Sequence, residues 1–273
     1  MMKKNLLLIL MCFVCGLVYA HDGLNFRNLD VKSGISDNYV RSVLRDQYGF
    51  MWFATLNGLN RYDGYQFKKY TTTQLGAYNN DIESIAEDAA GNIWIKGPVS
   101  YYIYDREQDK LENKIQPVLN KYGITGEVSY LTVDKDYNLW CTVMDTLFHY
   151  DFAKSKLHTF QLPGKEKMQQ VVCRRSCAYL LFSNGEIARI DSNFQHIRPE
   201  TRRTISSGLQ YNLYIDTVDR LWFYASHASG LQCYDTNQKQ WIDYVGRQEV
   251  TDALITAVMD DGDGNLWIGT DDK

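Results

Sequence analysis

The residues most able to do chemistry are five tryptophans, Trp52, Trp94, Trp140, Trp222 and Trp267, and five aspartates, Asp63, Asp105, Asp151, Asp191 and Asp235. Exposed indoles stack on sugar rings, and carboxylates in pairs perform general acid–base work at glycosidic bonds. Both sets recur, however. The tryptophans are spaced by 42, 46, 82 and 45 residues, and each aspartate follows a Tyr or Ile at the end of a similar segment. A ligand site is normally unique, so the repetition assigns the indoles to packing between repeats. It likewise assigns the aspartates to turn-forming or backbone-bonding roles. No catalytic, cofactor-binding or metal-binding residue is expected.

Three further groups fare no better as reactive sites. "DDGDGN" at 260–265 resembles a calcium loop but has no glycine at the sixth position and no acidic twelfth ligand, and it coincides with a turn of the repeat. The histidines, His21, His149, His158, His196 and His227, show no pair at metal-ligand spacing. Cys141, Cys173, Cys177 and Cys233 fit no zinc pattern. On one strand, Cys173 and Cys177 would stand roughly 13 Å apart, so buried free thiols are expected. Better ligand candidates are the residues that break the repeat: Tyr101 and Tyr102 in "KGPVSYYIY", and Ser226, His227 and Ser229 in the longer polar loop "SHASG".

The elements that must position these residues are legible from the copies. "VRSVLRDQYGFMWFATLNGLNRYD" has counterparts ending at Asp105, Asp151 and Asp235, and a last copy runs into "GNLWIGTDDK". The 82-residue interval hides a degenerate copy, "CAYLLFSNGEIARID", with Tyr179 in the tryptophan's place. Six copies of 39 to 46 residues each read as four short strands separated by Asp-, Gly- and Asn-bearing turns. Four antiparallel strands per period of about 40 to 45 residues is the pattern of a β-propeller blade. The fold class is therefore all-β: a propeller of about five and a half four-stranded blades, its ring incomplete. The blades are expected at approximately 36–79, 80–125, 126–168, 169–207, 208–249 and 250–273, the last incomplete, after a lead-in strand over 21–35. No helical period competes beyond the first twenty residues.

Those twenty residues are a positive "MMKKN", an apolar "LLLILMCFVCGLV" and a small-residue "VYA", the layout of a cleaved signal peptide at 1–20. The mature chain is expected to be exported and to carry no membrane-inserted segment. Loss of Lys3 and Lys4 takes the net charge from −4 to −6, and no basic run occurs, which argues against nucleic acid as a partner.

The motif D-x-x-G-x-x-W-x-x-T-x-x-G-L-x-x-Y-D at Asp46 to Asp63, with the lead-in "FRNLDVKSGISDNYVRSVLRD", resembles the two-component regulator propeller repeat. The resemblance runs from Phe26 to the end of the chain. It implies the N-terminal periplasmic sensor region of a hybrid two-component histidine kinase of the glycan-sensing type, here apparently truncated. Implied partners are a small-molecule or oligosaccharide ligand, the remainder of the sensor kinase, and a second copy in a homodimer. A secreted carbohydrate-active propeller enzyme and a protein-binding scaffold are the alternatives. Unpaired blade edges at the ends of an open arc invite association. Residues 21–273 alone are therefore expected to aggregate or oligomerise, and a cooperatively melting monomer in light scattering would contradict that.

Overall fold

A computed structural model describes residues 27–271 except 165, 175, 176, 192, 207, 227, 229 and 243–253. The expected signal peptide, His227 and Ser229 thus lie outside the described residues. The chain forms five four-stranded antiparallel sheets and one two-stranded sheet, each with its strands in sequential order from its inner edge outward. The first comprises β1 (Val40–Arg45), β2 (Met51–Thr55), β3 (Gly58–Tyr62) and β4 (Phe67–Tyr70). The second comprises β5 (Ser84–Glu87), β6 (Ile93–Lys96), β7 (Tyr101–Asp105) and β8 (Lys110–Glu112). The third runs through β9 (Val128–Val133), β10 (Leu139–Val143), β11 (Thr146–Asp151) and β12 (Lys156–Gln161). The fourth runs through β13 (Met168–Arg174), β14 (Cys177–Phe182), β15 (Glu186–Ile190) and β16 (Ile197–Arg202). The fifth holds β17 (Tyr211–Ile215), β18 (Arg220–Ala225), β19 (Leu231–Asp235) and β20 (Gln240–Ile242); the sixth is β21 (Ile255–Asp260) and β22 (Leu266–Thr270). The first strands of consecutive sheets neighbour one another from β1 through β5, β9 and β13 to β17, which is the radial stacking of a propeller.

The sheets are held by burial of the repeat aromatics against the next blade. Trp52 packs with Ile85 and Tyr104 of the second blade, and Trp94 with Leu131 and Leu139 of the third. Trp140 meets Val171 and Ala178 of the fourth, and Trp222 meets Ile255 and Val258 of the sixth. Tyr179 stands in the same register column, opposite Val172 and Arg189, and packs on Leu213 and Phe223. Trp267 differs: it is 62% exposed, because among the described residues no further sheet covers that face.

Each indole is also tied to an aspartate six residues earlier. Trp52 Nε1 donates to Asp46 at 2.9 Å; Trp94 to Asp88, Trp140 to Asp134 and Trp222 to Asp216, each at 2.8 Å; and Trp267 to Asp261 at 3.2 Å. The other carboxylate oxygen accepts backbone N–H groups two and four residues on, as Asp88 does from Ala90 and Asn92, both at 3.0 Å. One carboxylate therefore closes the hairpin between the first two strands and satisfies a buried indole. The motif reads as D-x-x-G/Y/D-x-x-W because the turn, with positive φ at Gly49, Gly91, Tyr137, Asp219 and Gly264, must bring the donor back over the acceptor. Burial raises the pKa of Asp88 and Asp134, whereas Asp261, at the uncovered end, is lowered to about 2, first by its bond from Asn265. In the fourth blade the equivalent place falls to Arg174, which donates to Thr217 O at 2.6 Å in the next blade's turn.

Two expectations are corrected. A short helix, α1 (Gln116–Lys121), lies between the second and third blades, with Pro117 in its first turn. Six residues are too few to generate a periodic signal. Cys173 and Cys177 are not on one strand: they lie on β13 and β14, where Arg174 pairs with Cys177 and Cys173 with Ala178. All four cysteines of the described residues are free, but only Cys141 and Cys233 are buried.

Replacing Asp88 with Ala leaves the Trp94 indole N–H buried and unpaired and strips the turn of its acceptor. The expected cost is about 2–4 kcal/mol. Asp261→Ala, at an exposed indole, is expected to cost under about 1 kcal/mol. Urea denaturation of the two variants checks the contrast, and equal costs would contradict the role given to burial.

Candidate functional site

The order of strands divides the molecule into two ends. The turns joining first to second and third to fourth strands all lie at one end, which carries the repeated Asp and Gly signals. The hairpins joining second to third strands and the connections between blades lie at the other. At the regular end the second family of aspartates serves the backbone. Asp63 accepts from Tyr65 N and Gln66 N at 2.8 Å, Asp105 from Glu107 N and Gln108 N, and Asp235 from Asn237 N and Gln238 N. Asp151 accepts from Lys154 N at 3.0 Å and Asp191 from Gln195 N at 2.9 Å. The two bonds from Gln66 and Tyr65 hold the Asp63 carboxyl below its ordinary range.

The irregular end holds a cavity of about 890 Å³ between the inner strands β5, β9, β13 and β17. Its wall is polar without being strongly charged: hydroxyls of Ser84, Ser100, Ser129 and Thr132, and amides of Gln169, Gln170, Gln210 and Asn212. Tyr101, Tyr130 and Tyr211 add aromatic surface. A groove of about 510 Å³ between the β6–β7 hairpin and the start of α1 adjoins it and shares Val99, Ser100, Tyr101, Glu127 and Val128. Val99, at the tip of that hairpin, is 93% exposed and lines both spaces.

Several wall residues also hold neighbouring blades in register. Leu131 N donates to Tyr101 Oη at 2.9 Å, and Val171 N to Tyr130 Oη at 3.0 Å. Gln170 receives Leu213 N at 2.7 Å and donates to Leu213 O at 3.1 Å. Leu131, Val171 and Leu213 stand at equivalent repeat positions, so each latch joins the inner edge of one blade to the side of its predecessor. Burial raises the Tyr101 and Tyr130 pKa values, which keeps both phenols neutral at any physiological pH.

The sequence-derived candidates separate on this geometry. Tyr101 is at the cavity wall. Tyr102, one residue on and therefore on the opposite face of β7, is 5% exposed and packed in the core between the first two blades. Ser226 lies behind the wall, accepting from Asn212 Nδ2 at 2.7 Å. The cavity-wall residues that sequence reading passed over, Ser129, Gln169, Gln210 and Asn212, belong to inner strands or their lead-ins. Their one signal is polarity at positions where an apolar alternation would be expected.

Away from the cavity, His149 is buried in a stack between Trp140, at 4.0 Å between centroids, and Phe194, at 4.7 Å, with His158 at 5.6 Å. Both ring nitrogens of His149 are buried without a hydrogen-bond partner among the described residues. Burial, and then the neighbouring His158, depress its pKa to about 4.

Comparison with known proteins places this geometry. Residues 34–57 and 250–272 match the family model described as Two component regulator propeller. The chain is similar to the solved extracellular domain of the putative hybrid two component system BT3049 from B. thetaiotaomicron, with TM-score 0.61 and 21% identity over 89% of this chain and 34% of that one. The corresponding domain of BT4673 gives TM-score 0.60 and 19% identity over 92% and 35%. Virginiamycin B lyase from Staphylococcus aureus gives TM-score 0.55 and 14% identity over 85% and 78%. The chain therefore spans about one third of the length of the first two structures. No curated protein matches it. The fold is a β-propeller, and the two matched segments carry regulator-type repeats.

Because His149 is held neutral by the fold, the unfolded chain gains its proton first as pH falls. Stability is therefore complete above about pH 6.5 and is lost down to about pH 4, by about 3 kcal/mol. His149→Phe is expected to remove this component, read as the difference between urea midpoints at pH 7 and pH 4.5. An unchanged difference would contradict it.

Proposed function

We propose that this chain is the extracytoplasmic ligand-sensing propeller of a hybrid two-component sensor, that its ligand is a carbohydrate, and that the chain itself is not catalytic. The observation carrying this reading is the cavity at the irregular end. It is open, lined by hydroxyls, amides and phenol rings, and bounded by the residues that latch blade to blade. Such a lining matches the alternation of hydroxyls and apolar ring faces in a sugar. A ligand there touches the groups that fix the angle between blades. It can therefore favour one arrangement over another, which is the requirement for passing a signal to a further domain.

The likeness to extracellular domains of hybrid two component systems supports the sensing role, and the sequence at 1–20 supports export to the periplasm. The likeness to a lyase shows that this architecture also hosts enzymes. Against an enzyme, the repeated carboxylates of the regular end are engaged in turns and with indoles, away from the cavity.

The test is thermal shift and calorimetry of the purified protein with a panel of neutral and acidic oligosaccharides, with the sugars analysed afterwards. At least one is expected to raise Tm by several degrees at 100-fold excess over its Kd and to be recovered intact. No shift from any sugar, or cleavage abolished by substituting a repeat aspartate, would overturn the proposal.

A further inference from the structure

The inner strands of four blades each carry one residue that the partner strand does not match. β1 skips Arg41, β9 skips Ser129, β13 skips Gln169 and β21 skips Thr256. In each case the skipped residue stands two positions before Val43, Leu131, Val171 or Val258, which are equivalent positions of the repeat. A β-bulge turns its extra side chain out of the regular pleat, and bulges concentrate at rims and beside binding sites. Here Ser129 and Gln169 both line the cavity, the Ser129 hydroxyl being bonded to Thr142 Oγ1 at 2.8 Å.

The chemistry at this rim is specific. Gln169 Oε1 is buried and has no hydrogen-bond partner among the described residues. Its neighbour Gln170 spends both amide atoms on Leu213, so the bulge separates a structural glutamine from one whose acceptor is unused. A buried carbonyl without a donor is costly, and a ligand that supplies one recovers that cost. The cations at hand are neutralised: Lys96 Nζ lies 2.7 Å from Glu83, and Arg41 lies 3.2 Å from Asp81. Lys167 and Glu127 add one charge of each sign to the same wall.

We infer that the bulge rim is the recognition element of the cavity and takes an uncharged, hydroxyl-rich ligand, one hydroxyl of which donates to Gln169 Oε1 as that side chain turns from its buried, unpartnered position toward the cavity. This rests on the sensor reading above and narrows it: a polyanionic sugar would meet no cation in excess of its counter-charge, while a neutral polyol supplies the missing donor.

The test uses the whole chain and two sets of probes matched in length, read by calorimetry. The neutral set is cellotetraose, xylotetraose and mannotetraose; the anionic set is tetragalacturonate and a heparin tetrasaccharide. The best neutral probe is expected to bind at least tenfold more tightly than either anionic one. Gln169→Leu, which keeps the shape and removes the acceptor, is expected to raise its Kd about tenfold. If that variant melts early, Gln169→Met serves in its place, and the comparison of charge on the unmodified protein needs no variant at all. Tighter binding of an anionic probe, or a neutral Kd within twofold after loss of the Gln169 acceptor, overturns this inference and leaves the sensor reading standing. Binding of no probe overturns both.

Discussion

The bond from an indole N–H to a carboxylate six residues earlier is the interaction on which this architecture depends. A large aromatic is needed to fill the space that widens between radially stacked sheets, but burying an indole N–H without an acceptor costs about 1–3 kcal/mol. The aspartate that accepts it also collects two backbone N–H groups of its hairpin, so one side chain fixes the turn, the strand register and the rotamer of the packing residue. Every blade with a tryptophan uses this arrangement. The fourth, with Tyr179, instead pairs its Arg174 with Asp219 in the turn of the fifth blade, at 3.1 Å.

That constraint also explains why the two ends of the molecule differ. The carboxylate turns and the Asp63-type turns all lie at one end, and the carboxylate turn recurs in every blade that buries or carries a tryptophan. The opposite end carries no such requirement. Its hairpins vary in length, its blade connections accommodate α1, and its inner strands carry bulges. At a close approach such as Gly58, whose φ is +114 and where an added Cβ would lie 2.7 Å from Tyr70 O, the backbone still limits the choice. Elsewhere at this end, apart from the latches of Tyr101, Tyr130 and Gln170, side chains are not tied to the repeat.

Much of the fold was legible because the propeller repeats its chemistry. The tryptophan spacing, the degenerate copy at Tyr179 and the incomplete sixth sheet all follow from counting. The acceptor role of Asp46 and its equivalents was present in the six-residue spacing but needs three dimensions to tell it from an ordinary turn. The site was less legible. Tyr101 and Tyr102 are adjacent in sequence, and only the pleat decides which one meets the cavity. Gln169 stands out only once the pairing of β13 with β14 shows it to be the unmatched residue. Cys173 and Cys177 read as neighbours on one strand because the fourth blade lacks the Asp-and-Gly signal that marks the hairpin between β13 and β14.

The central claim is that the regular end builds the propeller and the irregular end binds. Hydrogen–deuterium exchange with and without a bound oligosaccharide tests it most directly. Protection on binding is expected in 97–101, 127–132 and 167–170, with the turns at 46–50, 88–92 and 134–138 unchanged. Protection centred on those turns would contradict the account.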